Sequence, residues 1–392
     1  MTKPFHLAWF MEYAPANWVD TYDSRNERWS DPEFFVDFAR ALDRACFDYI
    51  LVEDTSYIPN LHGGSMDVYL ERSVGVPKGD PATLAGMMLE ATENIVVCST
   101  LSTNEYSPAL LARMTSSMAR LSDGRAGWNA VTGFDVRAMQ NYGLDELPDH
   151  GLRYQRADEF SKEVKQTWEK IGGPRPVVAQ AGASDAGRAF AAKHADTIVC
   201  SAGTPETMIE YRNDVRRRLV EEGRDPDACK VLFLMIPFVE ETHEMGVAAF
   251  EAARRHRLED PTLGMAIMSR HAGYDLSGYD LDAPIASFGI EAKGLKGLWS
   301  YIVAVSGNKT LRQVSAEEGI LSLAGSPETV SQQMIDIMEE VGGDGFLLIP
   351  DDMTYRNVNR VADGLVPELQ RRGAMRSTPR NGLLDAIAAT TA

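Results

Sequence analysis

The side chains best suited to chemistry gather in Ser122-Asp-Gly-Arg-Ala-Gly-Trp-Asn-Ala-Val-Thr-Gly133, where a turn signal runs into a short apolar strand that ends in polar groups. If that strand opens at its carboxyl end onto the mouth of a barrel, Asn129 and Thr132 face a ligand; otherwise the stretch is plain scaffold. A second stretch, Gln180-Ala-Gly-Ala-Ser-Asp-Ala-Gly-Arg188, joins a strand to a helix through small residues. Small residues let backbone N–H groups approach an anion, and a helix N-terminus adds partial positive charge. It reads as a phosphate cradle or as a simple N-cap on Ser184. With neither GxGxxG nor a GKS/T ending, it licenses no Rossmann or P-loop assignment. His150 and Tyr154, four apart at the start of a long helical pattern, share one face. They serve one ligand, or they are a capping histidine and a packed tyrosine. Asp54 ends an apolar run, where a carboxylate binds a ligand or caps a turn.

Hydrolytic constellations are missing from the sequence. No GxSxG elbow and no HExxH occurs, and the seven histidines are scattered singly. Cys46, Cys98, Cys200 and Cys229 form no CxxC pair, so neither a zinc site nor a disulfide framework is expected, and no metal site is assigned. Without a protein nucleophile or a metal, the difficult chemistry falls to a cofactor.

The elements that must position these residues alternate short apolar runs with longer amphipathic ones. Strands are predicted at 5–11, 49–52 and 95–101, within 122–133, and at 176–181, 197–200, 230–239 and 344–349. Between them lie helices, the first from an Asp31 cap with Phe34, Phe35, Phe38, Ala41, Leu42 and Ala45 along one stripe, and another capped by Thr204. Eight strands separated by helices imply right-handed βαβ units and a parallel sheet closed into an α/β TIM (β/α)8 barrel. One domain over residues 1–392 is expected, with insertion loops at about 55–80 and 254–324. The larger lies between strands seven and eight and holds no recognisable strand; it is a lid or a brace for a partner subunit.

Composition narrows the partners. A net charge of −18 repels nucleic-acid phosphates and anionic membranes, favouring small molecules or proteins. No apolar run approaches the ~18 residues of a membrane span. The scattered cysteines and a start lacking an export-signal pattern point to the cytoplasm.

The block Leu121–Gly133, together with Asn141-Tyr-Gly143, Asp149-His150, Arg153-Tyr154, Ala157-Asp-Glu-Phe160, Gln180–Ala192, Tyr279-Asp-Leu-Asp-Ala-Pro284, Gly325-Ser-Pro-Glu-Thr-Val330 and Val366–Gly373, resembles the bacterial-luciferase-like flavin monooxygenases. Within them it is most similar to the nitrilotriacetate and dibenzothiophene-sulfone monooxygenase branch. The resemblance implies a TIM barrel that takes reduced FMN from a separate NAD(P)H-dependent flavin reductase and uses O2 to oxygenate a small organic substrate. It implies FMN contacts at Asp54, Thr100, His150, Tyr154, Ala183 and Ser184, with Asn129 near the ring as the candidate catalytic side chain. It also implies a homodimer or homotetramer. Gly133, where relatives usually carry Ser, departs from the pattern, as does the shorter length. Substrate contacts are expected among Trp9, Phe10, Glu12, Tyr57 and Phe238 near strand ends. With no basic cluster in the strand tips, a neutral or aromatic, heteroatom-bearing substrate is favoured over a polycarboxylate. The competing readings are a deazaflavin-dependent oxidoreductase of the same superfamily that transfers hydride, and a flavin-binding homologue without turnover.

Overall fold

A computed structural model describes residues 4–15, 29–317, 319–349, 352–379 and 382–391. Its strands are β1 (His6–Glu12), β2 (Tyr49–Glu53), β3 (Val96–Ser102), β4 (Ala126–Val131), β5 (Val177–Ala181), β6 (Thr197–Cys200), β7 (Lys230–Val239), β8 (Leu321–Gly325) and β9 (Gly345–Leu348). Strands β1 to β7 pair in parallel with their sequence neighbours, β9 pairs with β7, and β9 closes on β1. The result is the eight-stranded TIM barrel expected from the alternating pattern.

The ninth strand corrects the reading of the long insertion. Residues 232–235 of β7 pair with β9, and β7 then overshoots the barrel so that Met235–Val239 pairs with Leu321–Gly325. Leu-Ser-Leu-Ala-Gly carries only a weak strand signal; the overhanging edge of β7 makes it a strand.

Strand periodicity sorts the core. Ala8, Tyr49, Leu51, Val96, Cys98, Val177, Ala179, Val199, Leu232 and Leu347 fill the barrel. Their neighbours Leu7, Trp9, Ile50, Val97, Trp128, Val178 and Phe346 point outward under the helices. Leu383, at the start of the helix Leu383–Thr391, joins the inner cluster.

Aspartates at the amino ends of strands fasten the register. Asp48, Asp196 and Asp344 stand immediately before β2, β6 and β9, and their carboxylates accept the N–H groups of Leu7 (3.0 Å), Val178 (2.8 Å) and Val231 (3.0 Å) in adjacent strands. Arg376 and Arg175 pair with Asp48 and Asp196, each at 2.8 Å. This is the stability face of the barrel, which leaves the carboxyl ends free to carry polar side chains. Helices leave that rim with regular starts: Asp31, Asp80, Ser107, Ser184, Thr204 and Ser326 each accept a first-turn backbone N–H, mostly ahead of a proline that needs no such partner. Phe34, Phe35, Phe38, Ala41, Leu42 and Ala45 are all buried, as their spacing requires.

Two irregular segments meet over the mouth. The chain between β2 and the helix Pro81–Glu90 forms a short helix, Asp67–Glu71, and the chain between β7 and β8 forms the helices His243–Glu259, Thr262–Ala272, Lys296–Ser306 and Leu311–Glu317. The second segment has a small core of its own, including Met268, Trp299, Ile302 and Leu311. The segments are joined by Tyr69 Oη to Ala266 O (2.9 Å), Arg72 to Asp260 (2.5 Å) and Gly63 N to Asp275 Oδ1 (3.0 Å). Among the described residues, no helix is long and apolar enough to cross a membrane, no cluster suits a metal ion, and the four cysteines are free and buried.

Candidate active site

A cavity of about 310 Å³ opens at the carboxyl ends of the barrel strands. Its floor and walls include Phe10, Asp54, Tyr57, Thr100, Asn129, Thr132, His150, Tyr154, Ala183 and Ser184. Every residue assigned to the cofactor by resemblance therefore borders one space, although these residues come from four strand tips and two helix starts.

At one end, Ser184 caps the helix Asp185–His194, its Oγ accepting from Gly187 N at 3.1 Å. Ser184 is thus both the helix cap and part of the cavity wall. Asp149, not His150, caps the helix His150–Ile171, accepting from Gly151 N at 2.9 Å. His150 instead lies beside Tyr154, ring centroids 5.1 Å apart and planes tilted by 58°. The Tyr154 hydroxyl lies in hydrogen-bonding reach of Ser184, Thr132 and Gln180, and burial raises its pKa. Burial, then Arg153 and Lys296, lower that of His150. Two cations, Arg153 and Lys296, and a helix N-terminus thus set a positive potential at this end of the cavity.

Deeper in the barrel, Asn129 Nδ2 donates to Thr100 Oγ1 at 2.9 Å. Asn129 Oδ1 and Gln180 Oε1 are buried acceptors with no partner. Both residues border the cavity, so a ligand that donates hydrogen bonds would satisfy them. A flavin offers a ring with N–H donors and a phosphate tail, and the orphan acceptors and cationic end fit both parts.

At the other end, Tyr57 and Phe134 meet edge to face with centroids 6.4 Å apart, and Arg270 lies over both rings. Arg270 Nε donates to Tyr57 Oη at 3.3 Å. Burial raises the Asp54 carboxyl to about 7 against the pull of Lys78.

Three substrate candidates from the sequence do not line this cavity. Trp9 is fully buried on the outer face of β1, its ring 5.5 Å from Phe38, because it alternates with the inward Phe10. Phe238 is buried against Phe250, centroids 5.3 Å apart, in the part of β7 that has overshot the barrel. Glu12 lies at the tip of β1, but its carboxylate is bound up with Glu53 and Lys78. Phe10 and Tyr57 do line the cavity.

Sequence reasoning also missed residues. The sequence predicts no basic cluster near the strand tips, yet Lys78 and Arg270 stand beside the tips of β1 and β2, and Arg153 and Lys296 beside His150. Lys78, Lys296 and Arg270 come from the insertions, where no local signal points them at the mouth; Lys78 and Arg270 are matched there by Glu12 and Glu53. Gly297 is the other omission: a Cβ there would lie 2.6 Å from Ser184 N and 2.8 Å from Ala183 C, so the helix Lys296–Ser306 rests directly on the cradle.

The chain is similar to nitrilotriacetate monooxygenase component A of Aminobacter aminovorans, 28% identical over 89% of this chain and 88% of the relative. It is 26% identical to dibenzothiophene-sulfone monooxygenase of Rhodococcus erythropolis (strain XP), over 96% and 94% of the two chains. The crystal structure of DmoA from Hyphomicrobium sulfonivorans shares its fold, with a TM-score of 0.86 and 24% identity over 98% of this chain and 92% of that one. The luciferase-like monooxygenase family model matches residues 5–345, and the chain belongs to that family.

Proposed function

We propose that the protein is the oxygenase component of a two-component system that accepts FMNH2 from a separate NAD(P)H-dependent flavin reductase and uses O2 to oxygenate a small neutral or aromatic, heteroatom-bearing compound. The observation that carries this reading is the convergence of a cationic helix N-terminus and two orphan buried acceptors, Asn129 Oδ1 and Gln180 Oε1, on one cavity. Reduced flavin, when bound, supplies the electrons that activate O2.

The chain's own groups do the rest. Ser184, Ala183, His150 and Lys296 hold the phosphate, and Tyr154 braces that end through Ser184. Asn129 and Gln180 accept from the ring, and Thr100 fixes Asn129 in place. Asp54 holds the ring from the β2 side. The two insertions close over the mouth and keep water from the reacting centre. Phe10, Tyr57 and Phe134 form an apolar wall suited to a flat substrate. A homodimer or homotetramer in the cytoplasm is part of the proposal.

The test mixes anaerobic protein with photoreduced FMN, then admits O2 and follows oxygen uptake, H2O2 and product over a panel of aromatic sulfones and heterocycles. Saturable FMNH2 binding and substrate-dependent product support the reading. His150→Ala should weaken FMNH2 binding about 10-fold, the loss of one hydrogen bond to a charged group, Tyr154→Ala should weaken it by loosening Ser184, and both should divert turnover to H2O2. Turnover with a deazaflavin but indifferent to O2 would favour the hydride-transfer alternative, and bound flavin without any turnover the non-catalytic one.

A further inference from the structure

Lys78 lies on the long loop after β2 and is not itself an assigned cofactor contact, yet its side chain is only 9% exposed. Its Nζ donates to Glu53 Oε2 at 2.6 Å and to Thr55 Oγ1 at 3.0 Å, and lies 3.8 Å from Glu12 Oε2. Thr55 and Glu53 flank Asp54 in sequence. The ammonium therefore grips the chain on both sides of Asp54 while joining the tips of β1 and β2. The loop that delivers it is itself anchored, Gly79 N donating to Tyr13 O at 2.8 Å.

An ammonium bonded to one glutamate would be a structural tie. Here it is surrounded by an excess of acid: Glu12, Glu53, Asp54, Glu105 and Asp80 all act on this corner, with Tyr106 and Tyr142 beside them and Arg270 facing Glu53 and Glu12. Glu53 stays ionised because Lys78 and Arg270 outweigh its burial. Asp54 has no cation of its own within bonding distance among the described residues, so its charge depends on Lys78 across a short gap. We propose that Lys78 is a positioning residue of the flavin site, which fixes both the placement and the charge state of Asp54 at the cavity wall. The inference rests on the flavin reading above and adds a control over it.

Consistent with that geometry, burial raises the Asp54 carboxyl to about 7, and Lys78 is the largest influence opposing the rise. Removing a cation from beside a carboxylate raises its pKa by about one unit or more. The experiment titrates full-length protein with oxidised FMN, followed by flavin fluorescence, from pH 5.5 to 9. The wild type should show a break in affinity near pH 7, which Asp54→Asn abolishes. Lys78→Met should move the break upward by at least about one pH unit, and Lys78→Arg should restore it. A break at the same pH in Lys78→Met, or a pH-independent loss of affinity in that variant with no rescue by Arg, overturns the proposal. So does a wild-type profile without a break, or one that survives in Asp54→Asn. If the wild type binds no FMN at any pH, the flavin reading itself fails, and that outcome is distinct from a normal Kd with an unmoved break.

Discussion

Replacing Gly297 by Ala tests whether the insertion holds the phosphate cradle in shape. Gly297 sits in the first turn of the helix Lys296–Ser306, and no left-handed backbone conformation is demanded of it. By helix propensity alone, Ala would stabilise by at most about 1 kcal/mol. The added methyl, however, would lie 2.6 Å from Ser184 N and 2.8 Å from Ala183 C, and neither backbone atom can swing aside as a side-chain end would. Relieving such a contact costs about 1–3 kcal/mol, so the net effect on global stability runs from about zero to a loss of about 2 kcal/mol. Discrimination between ligands is the sharper readout. The atoms pushed are those that meet the phosphate, and losing one charge-assisted hydrogen bond costs about 1.5–3 kcal/mol, or roughly 10- to 100-fold in Kd. The assay compares FMN with riboflavin, which has the same ring and no phosphate. Gly297→Ala should weaken FMN by that factor and leave riboflavin nearly unchanged. An equal loss for both ligands, or no loss for either, would refute the assignment of the phosphate to the Ala183–Ser184 turn.

Trp9 supports the barrel from outside, so Trp9→Ala should cost about 3–5 kcal/mol, read as a fall in the urea midpoint, with the FMN Kd of the remaining folded protein unaltered; a selective loss of ligand affinity would return Trp9 to the cavity. His194 is 5% exposed, and burial followed by the Lys165 charge lowers its pKa to about 4. An unfolded histidine takes up a proton near pH 6.5, which the folded one refuses until about 4, so stability should fall as pH drops through that window, by up to about 1.4 kcal/mol per pH unit. Urea midpoints at pH 7.5 and 5.0 measure this, and His194→Gln should flatten the slope; identical slopes in the two proteins would rule His194 out as its source.

The sequence by itself determined the barrel. Each of the eight barrel strands and the caps at Asp31, Ser184 and Thr204 are written within a few neighbouring residues, because strand alternation, helix periodicity and capping are local effects. For the same reason Asp54, Asn129, His150 and Ser184 were legible as candidates, since they sit at strand tips or helix starts and closure of a barrel brings all such tips to one rim; Thr100 came only with the family resemblance. Only the tertiary structure decided which of two adjacent aromatics faces in. Trp9 and Phe10 are equally apolar, and the inward face is set by register against β2 and β9, not by residue type. It also decided that Leu321–Gly325 is a strand, since its partner is the overhang of β7, and that Lys78, Arg270, Lys296 and Gly297 belong to the mouth. Those four reach it along irregular segments whose path is fixed by packing against distant chain, and a sequence carries no short-range record of where such a path ends.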